Sequence, residues 1–377
     1  MNLLLATLSR DAAGLLLALL AAMLLAPLHA GLAAAVGIVL ALLSLRYLAM
    51  RAAVRRRFPA PGRLVDLGSY RIHVLAEGEA RGGKLPVLWF AGGHAAGHAI
   101  HHLHRAFREH TRSILIDRPG TGWSDAGPFP RTTAREAEEV IRVLELAEER
   151  GPFVIAGHSF GGLLAANIAR RRPDLVHRLV LLDPTPLDTV IYGPPLQALR
   201  EFRMAPWKAG IARLFGFDLM KRQAATQRQN PAYAAVLDAV DRELGPDIIA
   251  ARAVDERAAA DFAQASIYAE LTPCGAASAA WSTGVYDGDL DGTSVWLVAP
   301  KDDLDVATLP EAKTANARLN QRVMRVIARS RERYLATSER SRRIIAPAGS
   351  GHNFVFLIPD FVIGVMHEAI EGPAKES

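Results

Sequence analysis

The sequence predicts an α/β fold: a mostly parallel, eight-stranded sheet with helices on both faces, a helical cap insertion, and an apolar helical hairpin at the N-terminus. Three observations predict it. From residue 63 onward, short apolar runs alternate with helix-forming stretches, the signature of successive βα units. One run, Phe153-Val154-Ile155-Ala156, leads straight into a glycine-flanked serine and a small-residue stretch, a strand-to-helix turn. No charged residue occurs from Ala12 through Leu45.

In chain order, Arg63 to Leu67 and Tyr70 to Leu75 read as an opening antiparallel pair. Strands at 86–90 and 113–116 follow, with a helix near 97–109 between them and another over about 133–150. The run at 153–156 and its helix come next, then the buried strand Arg178 to Asp183. Ser294 to Ala299 and Arg343 to Ala346 complete the sheet, with a long helical stretch, about Pro310 to Leu335, between them. Residues 185–290 break the rhythm: Ala, Arg and helix formers dominate, punctuated by Pro194, Pro195, Pro206, Pro231 and Gly245. They form a cap over the site or a surface extension. Phe202, Met204, Trp207, Leu214, Phe215 and Phe217 either line a pocket there or pack the insertion's own core.

A single helix covering the uncharged N-terminal stretch would measure about 50 Å, well beyond the roughly 30 Å hydrocarbon layer. Pro27, His29 and Gly31 supply a bend, leaving spans of about Ala12 to Leu28 and Leu32 to Met50. Arg10 precedes the hairpin, Arg46, Arg51, Arg55, Arg56 and Arg57 follow it, and the central turn carries no Lys or Arg. By the positive-inside rule both ends, and the domain after them, lie in the cytoplasm. Two other arrangements stay open: a secretory signal, which Leu28 ahead of Ala30 fits poorly, and a single span with the other run in the interface. The expected division is residues 1–50 as membrane anchor, 51–62 as a basic, proline-containing linker, 63–184 and 291–377 as the core, and 185–290 as the cap.

Composition narrows the function classes. The 377 residues are half apolar, enough for one large domain plus an appendage. One cysteine, Cys274, excludes an intrachain disulfide. The formal charge of +5 is spread over helical stretches with no aromatics between the basic residues, which argues against nucleic-acid binding.

The chemistry is carried by Gly157-His158-Ser159-Phe160-Gly161. A serine hydroxyl attacks only when it stands clear of its own backbone beside a base and amide donors, and a tight strand-to-helix turn presents it so. Three further segments accompany it: Ala91-Gly92-Gly93-His94 after an apolar run, Asp117-Arg118-Pro119-Gly120-Thr121-Gly122-Trp123-Ser124-Asp125 after another, and Gly349-Ser350-Gly351-His352-Asn353 after the last. Together they resemble the α/β-hydrolase superfamily over roughly residues 63–372. The resemblance implies Ser159 as nucleophile, His352 as general base, and an acid between them in sequence. It places that acid after the penultimate strand, where Asp302, Asp303 and Asp305 cluster; Asp303, just ahead of Leu304, is preferred and Asp302 is the alternate. Asp183 ranks lower, since Asp183-Pro184 usually starts the cap in relatives. The oxyanion donors implied are the backbone amides of Phe160 and, aligning Gly93 with the family glycine, His94.

Other features carry less. His98 and His102 share a helix face at metal-ligand spacing, but no carboxylate or cysteine nearby completes a set. Gly120 and Gly122 lack the further glycine and the lysine of a phosphate loop. No cofactor and no metal are implied. The expected protein is a membrane-anchored serine hydrolase cleaving lipophilic carboxylic esters through an acyl-enzyme. A proline-iminopeptidase-like peptidase, an acyltransferase, a carbon–carbon bond hydrolase and a non-catalytic tethered binding protein are the alternatives.

Overall fold

The computed structural model describes residues 12–93, 95–128, 131–187, 284–301 and 314–371, with a few further positions between 204 and 238. Its centre is one eight-stranded sheet of β1 (Arg63–Asp66), β2 (Arg71–Glu77), β3 (Val87–Phe90), β4 (Ser113–Ile116), β5 (Phe153–His158), β6 (Val176–Leu182), β7 (Ser294–Pro300) and β8 (Ser341–Ala346). The order across the sheet is β1-β2-β4-β3-β5-β6-β7-β8. β2 is antiparallel to both β1 and β4, and every other pairing is parallel. The parallel strands therefore end along one edge, with β5 near the middle.

Residues of alternate parity serve opposite faces, as the two-residue strand period requires. Leu88, Phe90, Ile155, Leu179, Leu181, Val295 and Leu297 pack into one core layer, with Val87, Trp89, Val154, Ala156, Val180, Leu182, Trp296 and Val298 in the other. Each layer is closed by helices. In the N-terminal region lie α1 (Ala13–Leu25) and α2 (Ala30–Arg57), followed by α3 (His101–Arg108), α4 (Thr133–Leu146), α5 (Phe160–Arg171), α6 (Ala315–Glu332) and α7 (Pro359–Ala369). In α4, Ala137, Val140, Val143 and Leu144 form the stripe that joins the first layer together with Leu163 to Ala169 of α5. In the second layer, Leu103 and Phe107 of α3 meet Val362 and Met366 of α7.

Several boundaries differ from the sequence expectation, each for a local reason. The helix expected from residue 97 opens with a 3₁₀ turn, Gly97–Ile100, before α3. The helix expected to reach residue 150 stops at Leu146, where Glu148 adopts φ +60° and Gly151-Pro152 follows. Arg51 to Arg57, assigned to the linker, form the last turns of α2: arginine is a good helix former, three arginines complement the helix C-terminus, and no proline intervenes before Pro59. The expected cap, 185–290, falls largely outside the described residues.

α1 and α2 pack together through small residues. A Cβ on Gly37 would stand 2.9 Å from Ala22 Cβ, so glycine is what lets the two backbones approach. His29 caps α2 by accepting a hydrogen bond from the Leu32 amide at Nδ1, 3.0 Å. Ser44, Tyr47 and Arg51, spaced three and four residues apart, form the buried face of α2. A Cβ on Gly14 would meet Ser44 Oγ at 2.4 Å and the Leu214 carbonyl at 2.9 Å, so Leu214 stands against the helix pair here. Leu16, Leu19, Leu20, Met23, Leu42 and Leu45 are exposed.

Candidate active site

At the carboxyl end of β5 the chain reverses within one residue. Ser159 has φ +52° and ψ −120°, a left-handed conformation uncommon outside glycine, between the end of β5 and the first residue of α5. The turn is held by Ser159 N–H donating to the Leu182 carbonyl (3.1 Å) and by Thr185 and Gly162 amides donating to the Ser159 carbonyl (2.8 and 3.0 Å). The flanking glycines are demanded by contact. A Cβ on Gly157 would lie 2.4 Å from the Gly161 carbonyl oxygen, and one on Gly161 would lie 2.6 Å from that of Phe90. Backbone donors and acceptors leave no room to give at those distances.

His352 arrives from the loop after β8, in the single 3₁₀ turn Gly351–Asn353. Its Nδ1 is paired closely with Oδ2 of Asp183, the residue that follows β6. Asp183 is 1% exposed, takes φ +46°, and pairs through Oδ1 with Arg331 Nη1 at 2.7 Å. Arg331 also donates from Nε to the Pro184 carbonyl (3.1 Å), so α6 pins the carboxylate from behind. His158 holds the imidazole from its other side. Its Nε2 donates to the His352 carbonyl at 2.9 Å, and the two rings lie 4.7 Å apart at 35°. Burial, reinforced by the charge of neighbouring His352, lowers the His158 pKa to about 4, so this ring stays neutral at physiological pH.

The other wall is the loop after β3. A Cβ on Gly92 would stand 2.7 Å from His158 Nδ1 and 3.0 Å from Ser159 Cβ, so the loop passes directly over the turn. Arg118, buried beneath it, donates from Nη2 to the Gly93 carbonyl (2.5 Å) and lies over the Phe160 ring. Asp117 accepts from the Gly97 amide at Oδ1 (2.8 Å), and at Oδ2 from the Trp123 amide (3.1 Å) and the His73 imidazole (2.8 Å). Burial opposes ionisation of Asp117, but His73 and these amides outweigh it and hold its pKa below the usual carboxylate range. Phe160 opens α5, and an amide at the first helical position has no acceptor within its own helix.

Ser159, His352 and Phe160 thus come together at one sheet edge. Asp303, its alternate Asp302, Asp305, and His94 lie outside the described residues. The carboxylate on His352 Nδ1 is Asp183, which the sequence ranked below the cluster after β7. The reason is topological: β6 is the immediate neighbour of β5, so its end faces the elbow directly, and the β8 loop reaches back to it. Arg331 and His158 were not anticipated. His158 stood inside the motif, whereas nothing in the arginine-rich stretch of α6 singled out Arg331.

A family model described as the alpha/beta hydrolase family matches residues 87–365. The chain belongs to the alpha/beta hydrolase family. Solved structures agree on the fold. A thermophilic esterase from Thermogutta terrifontis superposes with a TM-score of 0.54 at 16% identity, covering 81% of this chain and 96% of its own. A putative epoxide hydrolase from Pseudomonas aeruginosa gives 0.55 at 16% identity, covering 81% and 94%. Among curated proteins, the human (lyso)-N-acylphosphatidylethanolamine lipase is 31% identical over 113 residues, 28% of this chain and 30% of its own. An uncharacterized vacuolar membrane protein of Saccharomyces cerevisiae is 27% identical over 134 residues, 30% of this chain and 20% of its own. The match spans less than a third of either relative. Family membership thus rests on the 87–365 match and the shared fold.

Proposed function

We propose that this protein is a membrane-anchored serine hydrolase that cleaves carboxylic esters of lipophilic substrates through an acyl-enzyme. One observation carries the reading: a half-exposed imidazole, His352, with a buried carboxylate on Nδ1, held by its carbonyl to the residue that precedes a positive-φ serine at a helix N-terminus. Asp183 fixes the tautomer with hydrogen on Nδ1, which leaves Nε2 as the proton acceptor. Ser159 Oγ attacks the acyl carbon while His352 takes its proton. Charge on the carbonyl oxygen is received by the Phe160 amide and by a second amide from the loop after β3, for which His94 is the proposed donor. The tetrahedral adduct expels the alcohol, which takes the proton from His352, and water then repeats the sequence to release the acid. Asp183 takes the acid role in place of Asp303.

The lipophilic substrate class follows from the N-terminal pair. α2 carries an 18-residue window of mean hydropathy 2.1, and at 28 residues it reaches about 42 Å. α1, about 20 Å long, is short of a full span and joins α2 as the other arm of a hairpin. The exposed leucines on these helices suit contact with acyl chains, and the arginines after residue 45 favour the cytoplasmic side for the domain. The likenesses to a lipase acting on an acylated phospholipid and to a vacuolar membrane protein support the same reading.

The test is fluorophosphonate labelling of the full-length protein and of Ser159→Ala, with turnover measured across short and long acyl esters, aminoacyl amides and thioesters. Labelling and long-ester hydrolysis that both vanish in Ser159→Ala are expected. Turnover of prolyl amides alone would replace the esterase reading with the peptidase one. A wild type that never labels would remove the serine mechanism.

A further inference from the structure

The basic end of α2 is fastened to the same turn that shapes the loop over Ser159. Arg55 Nη1 donates to Asp125 Oδ1 at 2.8 Å, while Asp125 Oδ2 accepts from Arg71 N (3.1 Å) and Nε (3.2 Å) of β2. Trp123 Nε1 donates to the Phe58 carbonyl just beyond α2 at 3.0 Å, and its ring packs against Val54, Phe58 and Ala60. Arg55 and Asp125 are each about three-quarters shielded from solvent, at 27% and 24% side-chain exposure, a setting in which a pair is screened less than on an open surface. From this turn two contacts run to the site: Asp117 accepts the Gly97 amide, and Arg118 donates to the Gly93 carbonyl. Gly92, next to the last, lies against Ser159.

We infer that Arg55 and Trp123 are positioning residues, through which the membrane helix acts as a strut that holds the loop at 92–97 in register with Ser159. A mere tether would need only a flexible connection between the last helical turn and β1. Here the connection instead spends a tryptophan N–H, an ion pair and a small apolar cluster on fixing the helix end to residues 123–125. The other well-anchored side of that turn, His73 against both Trp123 (rings 5.0 Å apart) and Asp117, makes the turn stiff enough to transmit a displacement rather than absorb it. The catalytic consequence rests on the serine hydrolase reading; the mechanical one does not.

The experiment uses the full chain in detergent micelles with Arg55→Ala, Arg55→Lys, Trp123→Phe and, as control, Arg56→Ala, whose side chain is exposed on the same helical turn. Two readouts are taken: amide hydrogen exchange of peptides covering 92–97 and 117–125, and kcat and KM for a p-nitrophenyl ester. Arg55→Ala and Trp123→Phe should speed exchange in both peptides by about tenfold or more and lower kcat by a similar factor with KM within about twofold, the pattern of a lost transition-state contact. Arg55→Lys should recover part of each effect, and Arg56→Ala should match the wild type. Exchange at 92–97 that is unchanged in both Arg55→Ala and Trp123→Phe would overturn the strut. Faster exchange in a protein whose wild type neither labels nor turns over would keep the strut and remove the hydrolase reading. Should Arg55→Ala not fold, Trp123→Phe alone decides, since it keeps an aromatic ring at 123 while deleting the N–H that reaches the Phe58 carbonyl and trimming the contact with Val54, Phe58 and Ala60.

Discussion

Replacing Asp183 by asparagine changes one heavy atom at the one carboxylate that, among the described residues, touches His352. The side chain is 1% exposed and holds two partners, His352 at Oδ2 and Arg331 at Oδ1. An amide in its place can present its NH₂ to Nδ1, which selects the tautomer with hydrogen on Nε2, where no proton from Ser159 can be accepted. It also removes the negative charge that stabilises the imidazolium formed as the serine attacks. For serine triads this loss is worth ~10³–10⁴ in kcat, or ~4–5.5 kcal/mol of barrier at about 1.4 kcal/mol per decade. Arg331, only 13% exposed, is left against a neutral group, so unfolding free energy should fall by about 2–4 kcal/mol as well. The two effects separate by assay: kcat for a p-nitrophenyl ester is measured at a temperature where circular dichroism shows the variant folded, with fluorophosphonate labelling rate as a second readout. Asp303→Asn and Asp302→Asn are run beside it and should stay within about twofold of the wild type. An Asp183→Asn enzyme that keeps its rate while Asp303→Asn loses it would refute the assignment of Asp183.

Three further outcomes follow from the same geometry. Gly161→Ala should lower unfolding free energy by about 2–3 kcal/mol and lower labelling of Ser159, because its methyl would sit 2.6 Å from the Phe90 carbonyl oxygen; denaturant titration measures the first. The folded-state pKa of His158, about 4, lies below its ordinary value, so the unfolded chain binds the extra proton: the stability is present above pH 6.5 and drains away as pH falls toward 4, by ~2 kcal/mol at pH 5. Comparing denaturation midpoints at pH 7.5 and 5.0 should show that loss shrink in His158→Asn, and an equal loss in both proteins would dismiss His158 as its source. Arg118→Lys keeps the charge but shortens the reach to the Gly93 carbonyl, and it should cut kcat by about tenfold while KM holds, read from initial rates.

The sheet was legible because its strands are short apolar runs set apart by glycine, proline and helical stretches, and each of the eight lies within a few residues of its expected place. Ser159 and His352 were legible for different reasons. The first sits in a motif whose glycines are fixed by contacts of under 3 Å, and the second is the histidine in the loop after the last strand. That Asp183 pairs with His352 was not legible, since nothing local to it says which strand end adjoins the elbow; strand order places β6 beside β5. The end of α2 was misjudged because a run of arginines reads equally as a solvated linker or as a helix C-terminus, and the deciding contacts, Arg55 with Asp125 and Trp123 with Phe58, join residues 65 or more positions apart.

The charges around His352 explain why its neighbour is a histidine kept neutral. Asp183 and Arg331 form an opposed pair, so among these side chains the charge that changes during the proposed reaction is the one His352 gains on taking the serine proton. A second cation 4.7 Å away would oppose that gain, and an imidazole in open solvent would acquire one in mildly acid conditions. Burial of His158 under the loop at Gly92 prevents it, while its Nε2–H still holds the His352 carbonyl in place. The same burial therefore makes His158 both the brace for the proposed base and the group whose protonation limits stability in acid. The loop that buries it is the one tied to α2 through residues 117–125, so loosening α2 should first be felt at this pair of rings.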